Sequence, residues 1–268
     1  MQTHLGPTLR RLSLHCRWPS LFPSAAFCAF TASLIRLETL EIPRDIIGGN
    51  FPLRFTASHH LKYCSTEYTA PQLELDAAVR PSHLRIRLDY TLPSLFSPAL
   101  TYLSLLTHDV FPAFPYEMYT HLFSTCPNLV SLTLAGALPD VMRILKYPLP
   151  HIAFLVFSEI YKADEDFETE VLELDNGTWV VDTQAREMNW TVEEVQTWMD
   201  ALMALPKSVR SVRVLDTYFA NRLRVCVRAK WVDAGRLKEC GFVVEDFEGE
   251  CLTDMPQRTV LAEDGVTD

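Results

Sequence analysis

The sequence contains no Cys-x-x-Cys pair, no Gly-x-Ser-x-Gly, no phosphate-binding loop and no His-Glu-x-x-His. These absences remove the commonest zinc, serine-hydrolase, nucleotide and metalloprotease signatures. No apolar run approaches the ~20 residues that span a bilayer, so no membrane partner is expected. Positive charge is also short: 24 Lys and Arg face 34 Asp and Glu, a net of −10. That balance argues against a nucleic-acid partner, which selects a basic face. Disulfide patterning is missing too. Cys16, Cys28, Cys64, Cys126, Cys226, Cys240 and Cys251 are odd in number and suit buried thiols in a reducing compartment. Residues 4–17 are interrupted by Arg10 and Arg11, so no secretory signal is expected and a cytoplasmic or nuclear setting follows. The glycosylation sequons at Asn176 and Asn189 then read as chance matches.

The remaining candidates for site chemistry are incomplete. His59, His60 and Cys64 lack a fourth ligand for zinc. His108-Asp109 has no activated nucleophile beside it. Asp164-Glu165-Asp166 has no glycine-centred loop to hold calcium. Cys126 reads as a packed residue at a helix–strand junction. No catalytic, cofactor-binding or metal-binding residue is therefore expected.

What is present is a repeat. The chain has 268 residues, 48% of them apolar and 22% charged, enough for one large domain or an elongated array with a packed core. An apolar-x-x-apolar-x-apolar pattern recurs at Leu9/Leu12/Leu14, Leu37/Leu40/Ile42, Leu100/Leu103/Leu105 and Leu129/Leu132/Leu134. Softer copies are Ile152/Leu155/Phe157 and Val209/Val212/Val214, with a poor one opening at Leu61. Leu84/Ile86/Leu88 alternates without the two-residue gap. The last two apolar positions are two apart and share one face of a short strand. One such strand cannot bury its apolar face alone, but a stack of them can.

Counted from these openings, the gaps are 28, 24, 23, 16, 29, 23 and 57 residues. Leucine-rich repeats run ~20–29 residues. The gap of 16 marks an error or irregularity near Leu84 or Leu100. The gap of 57 holds two repeats or one with an insertion. Helical returns are expected over residues 23–34, 116–125 and 140–147, with Pro127 ending the second. The slot after each strand holds Arg17, Asp45, His108 and Ala137 rather than Asn or Cys, so the array should be irregular.

Past Phe157 the texture changes. Residues 1–157 carry 12 basic and 10 acidic side chains, and residues 158–268 carry 12 and 24. The acidic half is a solubilising surface or an attraction for a basic partner. Asp175-Asn176-Gly177 between apolar segments signals a hairpin. Thr191-x-x-Glu194 is a capping box before the stripe Val195, Trp198, Met199 and Leu202. Leu223 to Trp231 alternates as a strand would. Residues 234–240 read as a short helix with Gly241 behind it. The expected plan is an α/β leucine-rich-repeat solenoid, parallel strands on the concave face and helices outside. Repeats fill residues 5–160, an acidic loop and hairpin 161–190, a final repeat and cap 191–247, and a polar tail 248–268.

Alternation also assigns the solvent face: Arg11, Ser13 and His15; Thr39 and Glu41; Arg85, Arg87 and Asp89; Tyr102, Ser104 and Leu106; Ser131 and Thr133; Phe154 and Val156; Arg213. Arg and aromatic side chains dominate binding hot spots. The expected partner-binding strip is Arg85, Arg87, Tyr102, Leu106, Phe154 and Arg213.

Leu5-Gly6-Pro7-Thr8-Leu9-Arg10-Arg11-Leu12, Ser97-Pro98-Ala99-Leu100-Thr101-Tyr102-Leu103 and Cys126-Pro127-Asn128-Leu129-Val130-Ser131-Leu132 resemble the repeats of fungal F-box-like leucine-rich-repeat proteins. The resemblance covers about residues 5–138, with an echo at Leu205-Pro206-Lys207-Ser208-Val209. It implies a protein-interaction scaffold that selects substrates for a ubiquitin ligase. Such proteins begin with a helical F-box, whereas this sequence starts in a repeat. An enzyme on another α/β fold, or a partial repeat product without function, are the other readings of the same residues.

Overall fold

Each leucine triplet that falls in the described region becomes a rung of one sheet. The computed structural model describes residues 8–13, 29–42, 53–55, 60–66, 73–75, 79–87, 95–106, 116–147, 149, 151–161, 171–173, 179–181, 190–233, 235–239 and 241–252. Nine strands pair side by side: β1 (Arg11–Ser13), β2 (Thr39–Ile42), β4 (Tyr63–Thr66), β6 (His83–Arg87), β7 (Tyr102–Leu106), β8 (Ser131–Ala137), β9 (Phe154–Tyr161), β12 (Ser211–Val214) and β13 (Val243–Glu245). Every pair is parallel, and the strands lie in the order in which the chain makes them. Helices α1 (Tyr116–Thr125), α2 (Leu138–Leu145), α3 (Val192–Met203), α4 (Thr217–Arg228) and α5 (Gly235–Glu239) run between them. The fold is thus α/β with a nine-stranded parallel sheet, as the alternation of strand and helix predicts.

The register shows why the triplet works. Leu12, Leu40, Cys64, Leu84, Leu103, Leu132, Leu155 and Val212 stand at one level, each paired to the next. From Leu40 onward all of them are fully buried. A second buried level holds Ile42, Ile86, Leu105, Leu134, Phe157 and Val214. The opening residues Leu37, Leu61, Leu100, Leu129, Ile152 and Val209 pack beneath the strand entrances. There one carbonyl accepts two successive N–H groups from the next strand: Arg10 from Glu38 and Thr39, Lys62 from Ser82 and His83, Val130 from Ala153 and Phe154. Full burial of each leucine contributes about 2 kcal/mol.

The register corrects the spacing at residue 84. Leu84 is a second-position residue, paired with Cys64 and Leu103. The buried Pro81 occupies the opening position. The partners Tyr63, His83 and Tyr102 then lie 20 and 19 residues apart, and the gap of 16 disappears. The gap of 57 is one crossover with an insertion, because Phe154 pairs directly with Ser211.

Inside that insertion β10 (Val171–Glu173) and β11 (Trp179–Val181) pair antiparallel, as the Asn-Gly signal requires. The capping box is formed: the Thr191 N–H donates to Glu194 Oε2 at 2.7 Å and the Glu194 N–H to Thr191 Oγ1 at 3.1 Å. Val195, Trp198, Met199 and Leu202 face the core. Trp198 meets Phe157 and Phe219 edge-on at 5.4 and 5.2 Å, and so ties α3 and α4 to β9.

Two further expectations are corrected, and one pair of strands is new. Residues 223–231 are not a strand, because α4 runs through Arg228 with Phe219, Ala220, Leu223 and Cys226 on its buried face. A parallel pair, β3 (Leu53–Phe55) with β5 (Leu73–Leu75), lies in the returns on either side of β4. Finally, the tail does not begin at Glu248. Leu252 is buried, and Cys251 bridges Glu245. Gly241 has φ +80°, the left-handed conformation that ends α5. Of the first expected helix, residues 29–34 are described; 29–32 are helical and 33–34 are not. His15, His108, Asp109, Asp164, Glu165, Asp166, Asn176 and Asn189 lie outside the described residues.

Candidate functional site

The face of the sheet opposite the leucines carries the odd-numbered side chains of β6 and the residues level with them. Tyr63, His83, Tyr102, Ser131, Phe154, Ser211 and Val243 form one row. Ser65, Arg85, Ser104, Thr133, Val156, Arg213 and Glu245 form the next. The first row begins with adjacent aromatic rings. His83 stacks on Tyr102 with centroids 5.6 Å apart and 22° between planes. The Tyr102 hydroxyl lies 3.1 Å from Thr133 Oγ1.

A concavity of about 750 Å³ opens on this face. Its existence follows from side-chain size. Ser104 and Thr133, in the middle of the second row, are only 8% and 7% exposed although they point away from the leucine core. Tall neighbours stand around them: Tyr63, His83 and Arg85 on one side, Leu215 and Tyr218 on the other. Leu215 follows β12, and its N–H extends the β12–β9 ladder by donating to the Phe157 carbonyl at 2.7 Å.

The far wall is acidic. At the end of β8 the register slips: Ala135 pairs with Ser158 but Gly136 with Ile160, leaving Glu159 without a partner. Glu159 has φ +51°, a left-handed conformation that non-glycine residues rarely adopt. Such a bulge re-aims a side chain out of the strand alternation, and Glu159 lines the concavity. Beside it, Asp216 caps α4 by accepting the Phe219 N–H at 2.8 Å. Burial pushes the Asp216 carboxyl above its ordinary range, and the charge of Glu159 acts in the same direction. N–H groups of Phe219, Ile160 and Tyr218 oppose the shift.

The sequence-predicted strip is only partly assembled here. Arg85 and Tyr102 both line the concavity. Arg87 stands on β6 opposite Leu106 of β7, and its side chain is outside the described residues. Leu106 is half-buried and outside the lining. Phe154, 48% exposed, lies in the aromatic row beyond Ser131. Arg213 donates from Nε to the Asp246 carbonyl at 3.4 Å, on the far side of β9. Sequence reasoning missed Tyr63 and His83 because it assigned no outward residues to the copy opening at Leu61 and counted the outward face of β6 only from Arg85. It missed Glu159 and Asp216 because a bulge and a cap after a strand leave no periodic trace.

Two other clusters are occupied or split. Asp246, Glu248 and Glu250 bring their carboxylates within 4.8 Å of one another. Arg224 donates to all three, and Asp246 Oδ1 accepts the N–H groups of Glu248 and Glu250 at 2.9 Å. Cys64 faces the core while His60 is exposed, so the His60/Cys64 pair does not converge. Burial pushes the Cys64 thiol up to about 12 and that of Cys126, packed behind α1, up to about 11. Among the described residues no helix is long and apolar enough to cross a membrane. Compared with protein families, with curated proteins and with solved structures, the chain matches none.

Proposed function

We propose that this chain is an irregular leucine-rich-repeat solenoid that binds a protein partner on the outer face of its sheet. The observation that carries the reading is the strict sequential order of nine parallel strands, whose leucines occupy one buried level while the opposite face is left uncovered at Phe154 and the 750 Å³ concavity. A stacked array with one face free is the arrangement that repeat proteins use for recognition. Aromatic and arginine side chains supply the anchors: Tyr102, Phe154 and Arg85. A place in a ubiquitin ligase rests on the sequence resemblance alone and adds no residue to this reading.

The test is capture by a photo-crosslinker placed at Ser131, between Tyr102 and Phe154, followed by the Arg85→Ala/Tyr102→Ala variant. The expected result is a discrete cross-linked partner that the double variant retains at least about fivefold less, the equivalent of 1 kcal/mol. Undiminished capture by a folded double variant overturns the assignment of this face.

A further inference from the structure

The concavity has two chemically different ends. Arg85 stands on β6, exposed, with no hydrogen bond or ion pair to a described residue. His83, one position before it in the outward alternation, is stacked on Tyr102. At the opposite end Glu159 is exposed and equally without an ion pair among the described residues, close enough to the capping carboxylate of Asp216 to repel it. Between the ends lie the small hydroxyl side chains of Ser104 and Thr133 and the apolar Val156.

The width is set by the sheet. Arg85, Ser104, Thr133 and Val156 are successive partners on β6, β7, β8 and β9. Three strand spacings cover about 14 Å, and a fourth, to the segment after β12, about 19 Å. An extended chain covers that distance in about four to six residues. The chain as a whole has the same polarity: residues 1–157 are net +2 and residues 158–268 net −12.

Taking the outer face to be the docking surface, we infer that the concavity receives an extended peptide segment of about five residues lying across the strands. The segment carries a basic side chain at Glu159 and an acidic side chain or C-terminal carboxylate at Arg85. A lysine or arginine at the acidic end relieves the repulsion between two neighbouring carboxylates. A carboxylate at the other end meets a guanidinium whose planar fork donates to both of its oxygens. Backbone groups of the segment lie over the hydroxyls of Ser104 and Thr133, and its middle side chains over Val156, Leu215 and Tyr218. The opposite polarity places like charges together at both ends and is rejected.

An immobilised combinatorial hexapeptide library, probed with the full chain, tests this. The expected selection is a basic residue four or five positions from an acidic residue or a free carboxylate. Glu159→Gln lowers the preference for the basic residue about tenfold and leaves the acidic preference intact; Arg85→Gln does the reverse. Retention of helical and sheet circular dichroism shows that each variant is folded. Selection of peptides without this charge order, selection unchanged by both variants, or no selection overturns the inference. If in those cases the Arg85→Ala/Tyr102→Ala variant still loses its cross-linked partner, the docking face stands and only its peptide chemistry fails. If that capture is also unaffected, both fail.

Discussion

The side chains of Tyr102 and Thr133, on neighbouring strands, meet through their hydroxyls at 3.1 Å, so that the phenol leans across the sheet instead of standing out from it. The same ring stacks on His83. Tyr102→Phe keeps the stack and removes the bond, leaving the Thr133 hydroxyl in a position only 7% exposed. Equilibrium urea unfolding is expected to show a loss of about 1 kcal/mol. A loss of more than about 3 kcal/mol would mean that the hydroxyl pair holds the sheet itself.

Positions on the two faces of one strand differ in kind. Leu155→Ala removes a fully buried residue of the leucine level and is expected to destabilise by about 3 kcal/mol. Phe154→Ala, its immediate neighbour, removes a side chain that is half exposed, and stability should change by less than about 0.5 kcal/mol. The measurement is the urea midpoint of the two variants side by side. Equal losses would contradict the assigned register.

Asp216 separates capping from charge. Asp216→Ala removes the acceptor for the Phe219 N–H and is expected to cost about 1 kcal/mol. Asp216→Asn keeps an acceptor and removes the charge. The folded-state pKa is raised above the ordinary aspartate value of 3.8, so the folded protein holds this proton more tightly than the unfolded chain. That stabilising contribution is complete below 3.8 and disappears as pH rises through the folded value. The difference in melting temperature between Asp216→Asn and the parent should therefore shift in favour of Asn between pH 3.5 and 7. A shift in the opposite direction would show that the N–H groups outweigh burial.

The Arg224 guanidinium neutralises an Asp246 carboxylate that has no solvent exposure. Arg224→Met leaves that charge buried and unpaired, and a loss of about 3–5 kcal/mol is expected. Hydrogen exchange should locate the damage in residues 241–252, with the amides of Leu132 and Leu155 protected as before. Uniform loss of protection would mean that this segment and the sheet unfold as one unit.

Cys64 and Cys126 are fully buried thiols whose ionisation is suppressed. Mass mapping after brief treatment with a disulfide-exchange reagent at pH 8 should find both unmodified in the folded protein and modified in urea. Cys251, partly exposed, is the internal comparison. Rapid native-state labelling of Cys64 would contradict its place between Leu40 and Leu84.

Much of the fold is legible wherever a local rule suffices. The triplets mark the sheet because burial at two levels demands apolar residues at fixed offsets. The capping box at Thr191 and the helix at Tyr116–Thr125 are written in contiguous residues. Reading failed where two periods fit the same letters. Leu223, Val225 and Val227 alternate like a strand, yet Phe219, Leu223 and Cys226 recur like a helix. The decisive signal was the cap, Asp216, outside the window. Pro81 opens β6 in place of a leucine, and the pattern could not show it. The concavity was the least legible feature. It is a relation among five strands and a loop, and no segment of sequence contains it.

The order of the strands also bears on how the protein is made. Each of the nine is laid down next to the one synthesised before it, so a nascent strand emerging from the ribosome finds its docking edge already in place. Assembly can then advance by accretion, each new strand docking on the edge left by the one before it. The exception is the 57-residue interval between Phe154 and Ser211, during which β9 stands as an open edge. That interval is the one long pause in an otherwise continuous accretion, and translation arrested within it would leave the growing sheet open to pairing with a neighbouring chain.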